Sequence, residues 1–288
     1  VNPHARKAIM TLRTFPLSVA VGLLALALLP ACRQESPPSP ADPVPPHETF
    51  HLTSQALSED RVINVYLPPA YAENPEQAFP VLYMPDGGIG EDFPHIVNTL
   101  SALAAAGEVV PLVVVGIENT QRRRDLTGPT TVAKDREIAP VVGGSAAFRT
   151  FIRDELMPEI EKRYRGNGRT AIVGESAAGL FILETFFIEP TLFDTYIALS
   201  PSLWWNDHEL VRGAAASLAA IDSLGLTLYL SSANEADVFP HTDALAEILE
   251  AAAPRDLAWT YVPRRDLRHD TIYRAESAPA FRTVFAVR

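Results

Sequence analysis

Cysteine is almost missing from this chain. One of its 288 residues is a cysteine, Cys32, so no internal disulfide can form and no Cys-based metal site can be built. Basic excess is missing as well. Thirty-five acidic residues against 24 basic ones leave a formal charge of −11. Phosphate binding needs clustered Lys and Arg, so this balance excludes nucleic acid as the expected partner. The triple Arg122-Arg123-Arg124 runs straight into Asp125 and reads as a locally paired or solvated loop. No H-E-x-x-H or comparable ligand cluster occurs, and the chemistry expected below needs neither metal nor cofactor.

What is present begins at the N-terminal end. From Met10 the chain carries Arg13, then an apolar run from Leu17 to Leu29, then Pro30-Ala31-Cys32. A basic start, an apolar core and a small residue at the end make a signal-peptide layout. The core is shorter than the roughly 20 apolar residues that a membrane span needs. The ending resembles a bacterial lipobox, which implies acylation of Cys32 and a lipid-anchored envelope protein on the periplasmic or surface face. A plain secretory signal with a spare cysteine is the alternative. Residues 33–47 contain six prolines and read as an extended tether. The expected organisation is a signal segment over 1–32, a tether over 33–47 and one folded domain over 48–288.

Two alternating stretches near the start of that domain, "ETFHLTSQAL" and "RVINVYLPPAY", predict an antiparallel hairpin. After them come short, nearly continuous apolar runs at 79–85, 111–119, 169–175, 195–201, 226–232 and 257–263. Such runs are what strands buried on both faces look like. Helical patterns separate them, including one over 145–165. This alternation predicts an α/β-hydrolase-type domain, with a mostly parallel central sheet and helices on both faces. Residues 118–145 lack a clear pattern. A loop that long in a compact domain is more often functional than ornamental.

The stretch "TAIVGESAAGL" (170–180) carries the chemistry. It reads as strand, sharp turn and helix with Ser176 at the turn, close to the G-x-S-x-G nucleophile elbow. Glu175 precedes the serine, and Ala178 stands where the pattern has its second glycine. A serine nucleophile needs a base, an acid to orient that base and two N–H donors for the oxyanion. Of seven histidines, only His269 lies between the last strand and the final helix, in the order Ser…acid…His. The acid is expected in "ANEADVFPHTD". Asp237 is favoured because it opens the turn before a helix, with Glu235 as the alternative and Asp243 a distant third. The N–H of Ala177, at a helix start, and that of Gly88, in "PDGG", are the expected oxyanion donors. Taken alone, Ser176 could equally be a helix cap.

The blocks "VLYMPDGG", "VVVGIENTQRRRDLTGP", "AIVGESAAGL", "ALSPSLWW" and "RHDTIY" occur in the order seen in esterase D-like α/β hydrolases, and the chain resembles that family over about 48–288. The group includes siderophore esterases, feruloyl and acetylxylan esterases, S-formylglutathione hydrolases and mycolyltransferases. The resemblance implies Ser176 as nucleophile, His269 as base and an oxyanion hole from Gly88 and Ala177. It also implies that Trp204 and Trp205 lie near the substrate pocket, with core packing as their other reading. The expected activity is hydrolysis of a small-molecule carboxylic ester through an acyl-enzyme. A compartment outside the cytoplasm favours siderophore or carbohydrate esters over S-formylglutathione. A tethered binding protein with the same fold and an acyltransferase are the competing readings.

Overall fold

Hydrophobic patterning orders the sheet. The computed structural model describes residues 42–221 and 225–287. Cys32, the apolar run before it and most of the expected tether lie outside the described residues. Glu48–Ser54 (β1) and Glu59–Tyr66 (β2) form the antiparallel hairpin, and β2 pairs antiparallel with Val113–Ile117 (β4). Every remaining neighbour is parallel. Phe79–Pro85 (β3), Gly166–Glu175 (β5), Thr195–Leu199 (β6), Thr227–Ser232 (β7) and Ala258–Pro263 (β8) complete an eight-stranded sheet in the order β1-β2-β4-β3-β5-β6-β7-β8. All five residues of β4 are buried, as expected for a strand covered on both faces.

Ten helices accompany these strands among the described residues. They are Pro69–Glu73 (α1), Phe93–Ala105 (α2), Arg122–Leu126 (α3), Ala133–Ile138 (α4), Ser145–Phe151 (α5), Met157–Arg163 (α6), Ala177–Ile188 (α7), Trp205–Ala220 (α8), Phe239–Ala252 (α9) and His269–Val284 (α10). Successive strand residues point to opposite faces, so the core has two halves. Leu82, Val114, Val173 and Leu199 pack with Phe93 and Ile96 of α2 and Phe281 of α10. Tyr83, Val115, Ile172 and Ala198 pack with Phe148 and Phe151 of α5, Phe181 and Phe186 of α7 and Leu245 of α9. Helix α7 buries ten of its twelve residues, the property of a helix that is apolar all round.

Three local features differ from the sequence reading. The single helix expected over 145–165 is broken by a π turn at Ile152–Leu156. Pro158 has no N–H to continue the ladder there, which accounts for the shift in hydrogen-bond register. Residues 118–145 are not one long loop, because α3 and α4 form within them. Their anchor is Asp125, which is fully buried against Arg61 Nη1 at 2.6 Å. The expected tether also ends early. Asp42 pairs with Arg274 at 2.6 Å, the carbonyl of Pro43 accepts from Asn98 at 2.8 Å, and His47 meets the Phe93 ring edge-on. The described residues from Asp42 onward therefore form one compact unit.

Candidate active site

Strand β5 delivers Ser176 and helix α7 leaves from it. The serine has φ 61° and ψ −119°, a strained region for a residue with a side chain, costing on the order of 1–3 kcal/mol. Backbone bonds from three directions impose it. Ser176 N donates to Leu199 O at 3.1 Å, while its own carbonyl accepts from Leu180 N and Ser202 N, both at 3.0 Å. Close packing requires Gly174, since a Cβ there would lie 2.5 Å from the Cβ of Ala178. The Ala178 methyl thus fills the space that Gly174 leaves open, and the missing second glycine is accommodated.

His269, the first residue of α10, reaches this turn. Its Nε2 lies 2.9 Å from Ser176 Oγ. Burial holds the imidazole below its ordinary pKa, partly opposed by the charges of Glu235 and Asp237. Burial thus favours the neutral ring, the state a general base needs. Ser202 Oγ lies 3.3 Å from Ser176 Oγ on the other side.

Neither carboxylate expected from the loop after β7 is hydrogen-bonded to Nδ1 of His269. His269 Nδ1 is partnered by Ser200 Oγ at 3.1 Å, which also accepts from Ala233 N at 3.3 Å. Ser200 is fully buried at the end of β6, in a left-handed conformation with φ 46°. Asp237 is exposed and makes no ion pair with the ring among the described residues. Glu235 comes closer, but its Oε1 accepts the backbone N–H of His269 at 2.7 Å. That carboxylate sits at a helix start, where orphan N–H groups and the helix dipole draw negative charge. The pull of the α10 terminus leaves the ring nitrogen to a hydroxyl.

The expected oxyanion donors divide. Ala177 is the first residue of α7, so its N–H has no acceptor inside the helix and stands beside Ser176. Gly88 is corrected, because its N–H donates to Glu91 Oε2 at 2.7 Å. The glycine-rich turn has another task. Asp86 at its start takes both Arg122 Nε and Nη2, at 2.6 and 2.7 Å, and so ties the turn after β3 to α3. Burial raises nearby Asp92 to about 6.

A cavity of about 60 Å³ opens at the serine, lined by Ser176, Ala177, Arg122, Arg123, Thr127, Leu180, Ser202, Trp204 and Trp205. Trp205 is held by its Nε1–H donating to Gly128 O at 3.1 Å, and the Trp204 ring leans on it at 5.8 Å. Both tryptophans thus line the cavity, and Trp205 also packs in the core. Two arginines of the triple reach the cavity too. Arg122 is paired, whereas Arg123 is exposed and has no carboxylate partner among the described residues. A wider cavity of about 430 Å³ lies between the starts of β3, β5 and β6 and Val284–Ala286. It is at the end of the sheet away from Ser176, whereas ligands of parallel sheets bind outside the carboxyl ends of the strands. Among the described residues no group of His, Cys, Asp and Glu is arranged to hold a metal ion.

An α/β-hydrolase fold with a serine and a histidine in contact at the elbow defines the class. The comparisons narrow it. The Esterase family model matches residues 54–275, and the chain belongs to that family. It is 31% identical over 183 residues to the ferri-bacillibactin esterase BesA of Bacillus subtilis, covering 59% of this chain and 63% of that one. It is 31% identical over 192 residues to the siderophore triacetylfusarinine C esterase of Aspergillus fumigatus, covering 62% and 63%. The chain thus spans a little under two thirds of the length of these relatives. Among solved structures, an IroE-like serine hydrolase from Shewanella oneidensis superposes with a TM-score of 0.76 at 27% identity, over 84% of this chain and 82% of that one. The siderophore hydrolase EstB of Aspergillus nidulans shares the fold, with a TM-score of 0.68 at 21% identity over 88% and 97%.

Proposed function

We propose that the protein hydrolyses carboxylic esters through an acyl-enzyme on Ser176, with His269 as general base. The observation that carries this reading is the 2.9 Å contact between His269 Nε2 and Ser176 Oγ at a strained elbow. Ser176 attacks the ester carbonyl as Nε2 takes its proton, and the oxyanion develops beside the Ala177 N–H. The imidazolium then protonates the leaving alcohol. Water enters, gives its proton to Nε2 and releases the acid. Ser200 holds the ring from Nδ1, the position where a triad has a carboxylate. A base already aligned with its nucleophile favours turnover over passive binding.

The substrate class we propose is an iron-chelator ester, in line with relatives named for siderophore esters. Arg123, with no carboxylate partner among the described residues, brings positive charge to a cavity walled by two indoles, a setting that suits an anionic acyl group with an aromatic ring. Lipid attachment at Cys32 and a place in the cell envelope belong to the same proposal. Mass spectrometry of the mature N-terminus should find lipid on Cys32, and a free thiol there would refute the anchor.

The enzymatic reading is tested with p-nitrophenyl esters and a fluorophosphonate probe. The wild-type protein should hydrolyse the esters and carry the label on Ser176. Ser176→Ala should lose the label and on the order of 10⁴-fold in kcat.

A further inference from the structure

Glu175 is a carboxyl group that the mechanism above does not use. It is the last residue of β5, one before the nucleophile. Its Oε1 is buried, lies 3.1 Å from His269 Nε2 and has no hydrogen-bond partner in the resting arrangement. The base nitrogen is thus flanked by two oxygens, Ser176 Oγ at 2.9 Å and Glu175 Oε1 at 3.1 Å. A buried acceptor without a donor is costly to keep. This one stands at ion-pair distance from the nitrogen that becomes positive once the histidine takes the proton of the serine.

The charges around it are accounted for. Arg122, on α3, is the cation that acts on it most strongly among the described residues and is already held by both oxygens of Asp86. Asp86 follows β3, Asp92 precedes α2 and Glu235 follows β7, and all three push Glu175 toward its neutral form, as burial does. From α10 it faces His269 and the buried Tyr273 hydroxyl, which also lacks a partner.

We propose that Glu175 is a positioning residue for ester hydrolysis, holding Oε1 against the Nε2 edge of His269 so that the ring is stabilised in place whenever it carries the proton of the serine. This rests on the serine-hydrolase reading above. The step balances without a new participant. The proton leaves Ser176 Oγ, resides on Nε2 and passes to the leaving alcohol, while Glu175 neither gains nor loses one. The contact supplies from the Nε2 side the restraint on the imidazolium that no carboxylate supplies at Nδ1.

The test compares Glu175→Leu and Glu175→Gln with the wild type across pH 5–10. Leucine removes the acceptor and should lower kcat by roughly 10- to 100-fold with little change in KM, the effect of losing a hydrogen bond to a charged group. Glutamine keeps an acceptor oxygen and should recover most of that loss. Burial raises Glu175 to about 9, so the wild type should show a second rise in kcat/KM near that pH, as a carboxylate forms beside the imidazolium. Glutamine should lack this step. The contact is also read without turnover, by NMR titration of the His269 imidazole, whose pKa should fall in Glu175→Leu. Equal kcat, equal pH profiles and an unmoved imidazole titration in all three proteins would overturn the proposal. An imidazole shift in a protein that neither turns over esters nor labels would instead sink the hydrolase reading while keeping the contact. If the leucine variant fails to fold, the alkaline step in wild type against glutamine decides alone.

Discussion

A single hydroxyl, Ser200, stands at His269 Nδ1 where a carboxylate was expected, and this sets the residue-scale predictions. Ser200→Ala should lower kcat/KM by roughly 10- to 100-fold, because the ring loses its tether and a buried N–H loses its acceptor. Asp237→Asn should change it less than about threefold, since Asp237 is exposed and does not pair with the ring. A fall for Asp237→Asn as large as that for Ser200→Ala would restore Asp237 as the orienting acid. Burial holds the His269 pKa below its ordinary value. The acid limb of kcat/KM should therefore have its midpoint below that of a free histidine, with activity falling as pH drops through it. Ser176 and His269 were legible as candidates because an elbow-like motif points to the serine and chain order points to the histidine. Ser200 was not, because nothing local separates it from other serines. Its part depends on a left-handed backbone at the end of β6 that only pairing with β7 reveals. Glu175 was visible as a departure before the nucleophile, but its contact with His269 joins elements 94 residues apart in number.

At the scale of elements, the elbow depends on how closely α7 passes β5. Gly174→Ala would place two methyl carbons 2.5 Å apart and should destabilise the protein by about 1–3 kcal/mol, the usual cost of overpacking. Adding Ala178→Gly removes the opposing methyl, so the double variant should recover much of the loss in a denaturant melt. Additive losses would show that the two positions do not share this space. The strands were readable because continuous apolar runs bounded by turns have one economical arrangement, a sheet covered on both faces. The break after α5 was not, since the apolar residues of 145–165 keep near-helical spacing in the sequence across it. Nor were α3 and α4. Their order comes from a buried guanidinium on β2 meeting Asp125 from α3, a pairing of distant residues that local propensity does not encode. Asp125→Ala should cost about 3–5 kcal/mol, because it leaves Arg61 buried without that partner.

Across the whole molecule, a carboxyl group kept neutral by burial links activity to stability. Glu175 titrates near 9 when folded, against an ordinary value of 4.5. Between these values the folded protein holds a proton that the unfolded chain releases, so stability falls as pH rises. Glu175→Gln removes that dependence. Its unfolding free energy should match the wild type below pH 4.5 and exceed it increasingly toward pH 9, with a gap on the order of 3 kcal/mol by pH 7. Parallel melting curves for the two proteins across this range would show that Glu175 is ionised in the fold. The central claim, that Ser176 is the nucleophile of an ester hydrolase, is tested most directly by fluorophosphonate labelling with peptide mapping of the intact protein. The account predicts one label per chain, on Ser176, lost in Ser176→Ala and slowed in His269→Ala. A wild-type protein that stays unlabelled, or that carries the label on another residue, would contradict it.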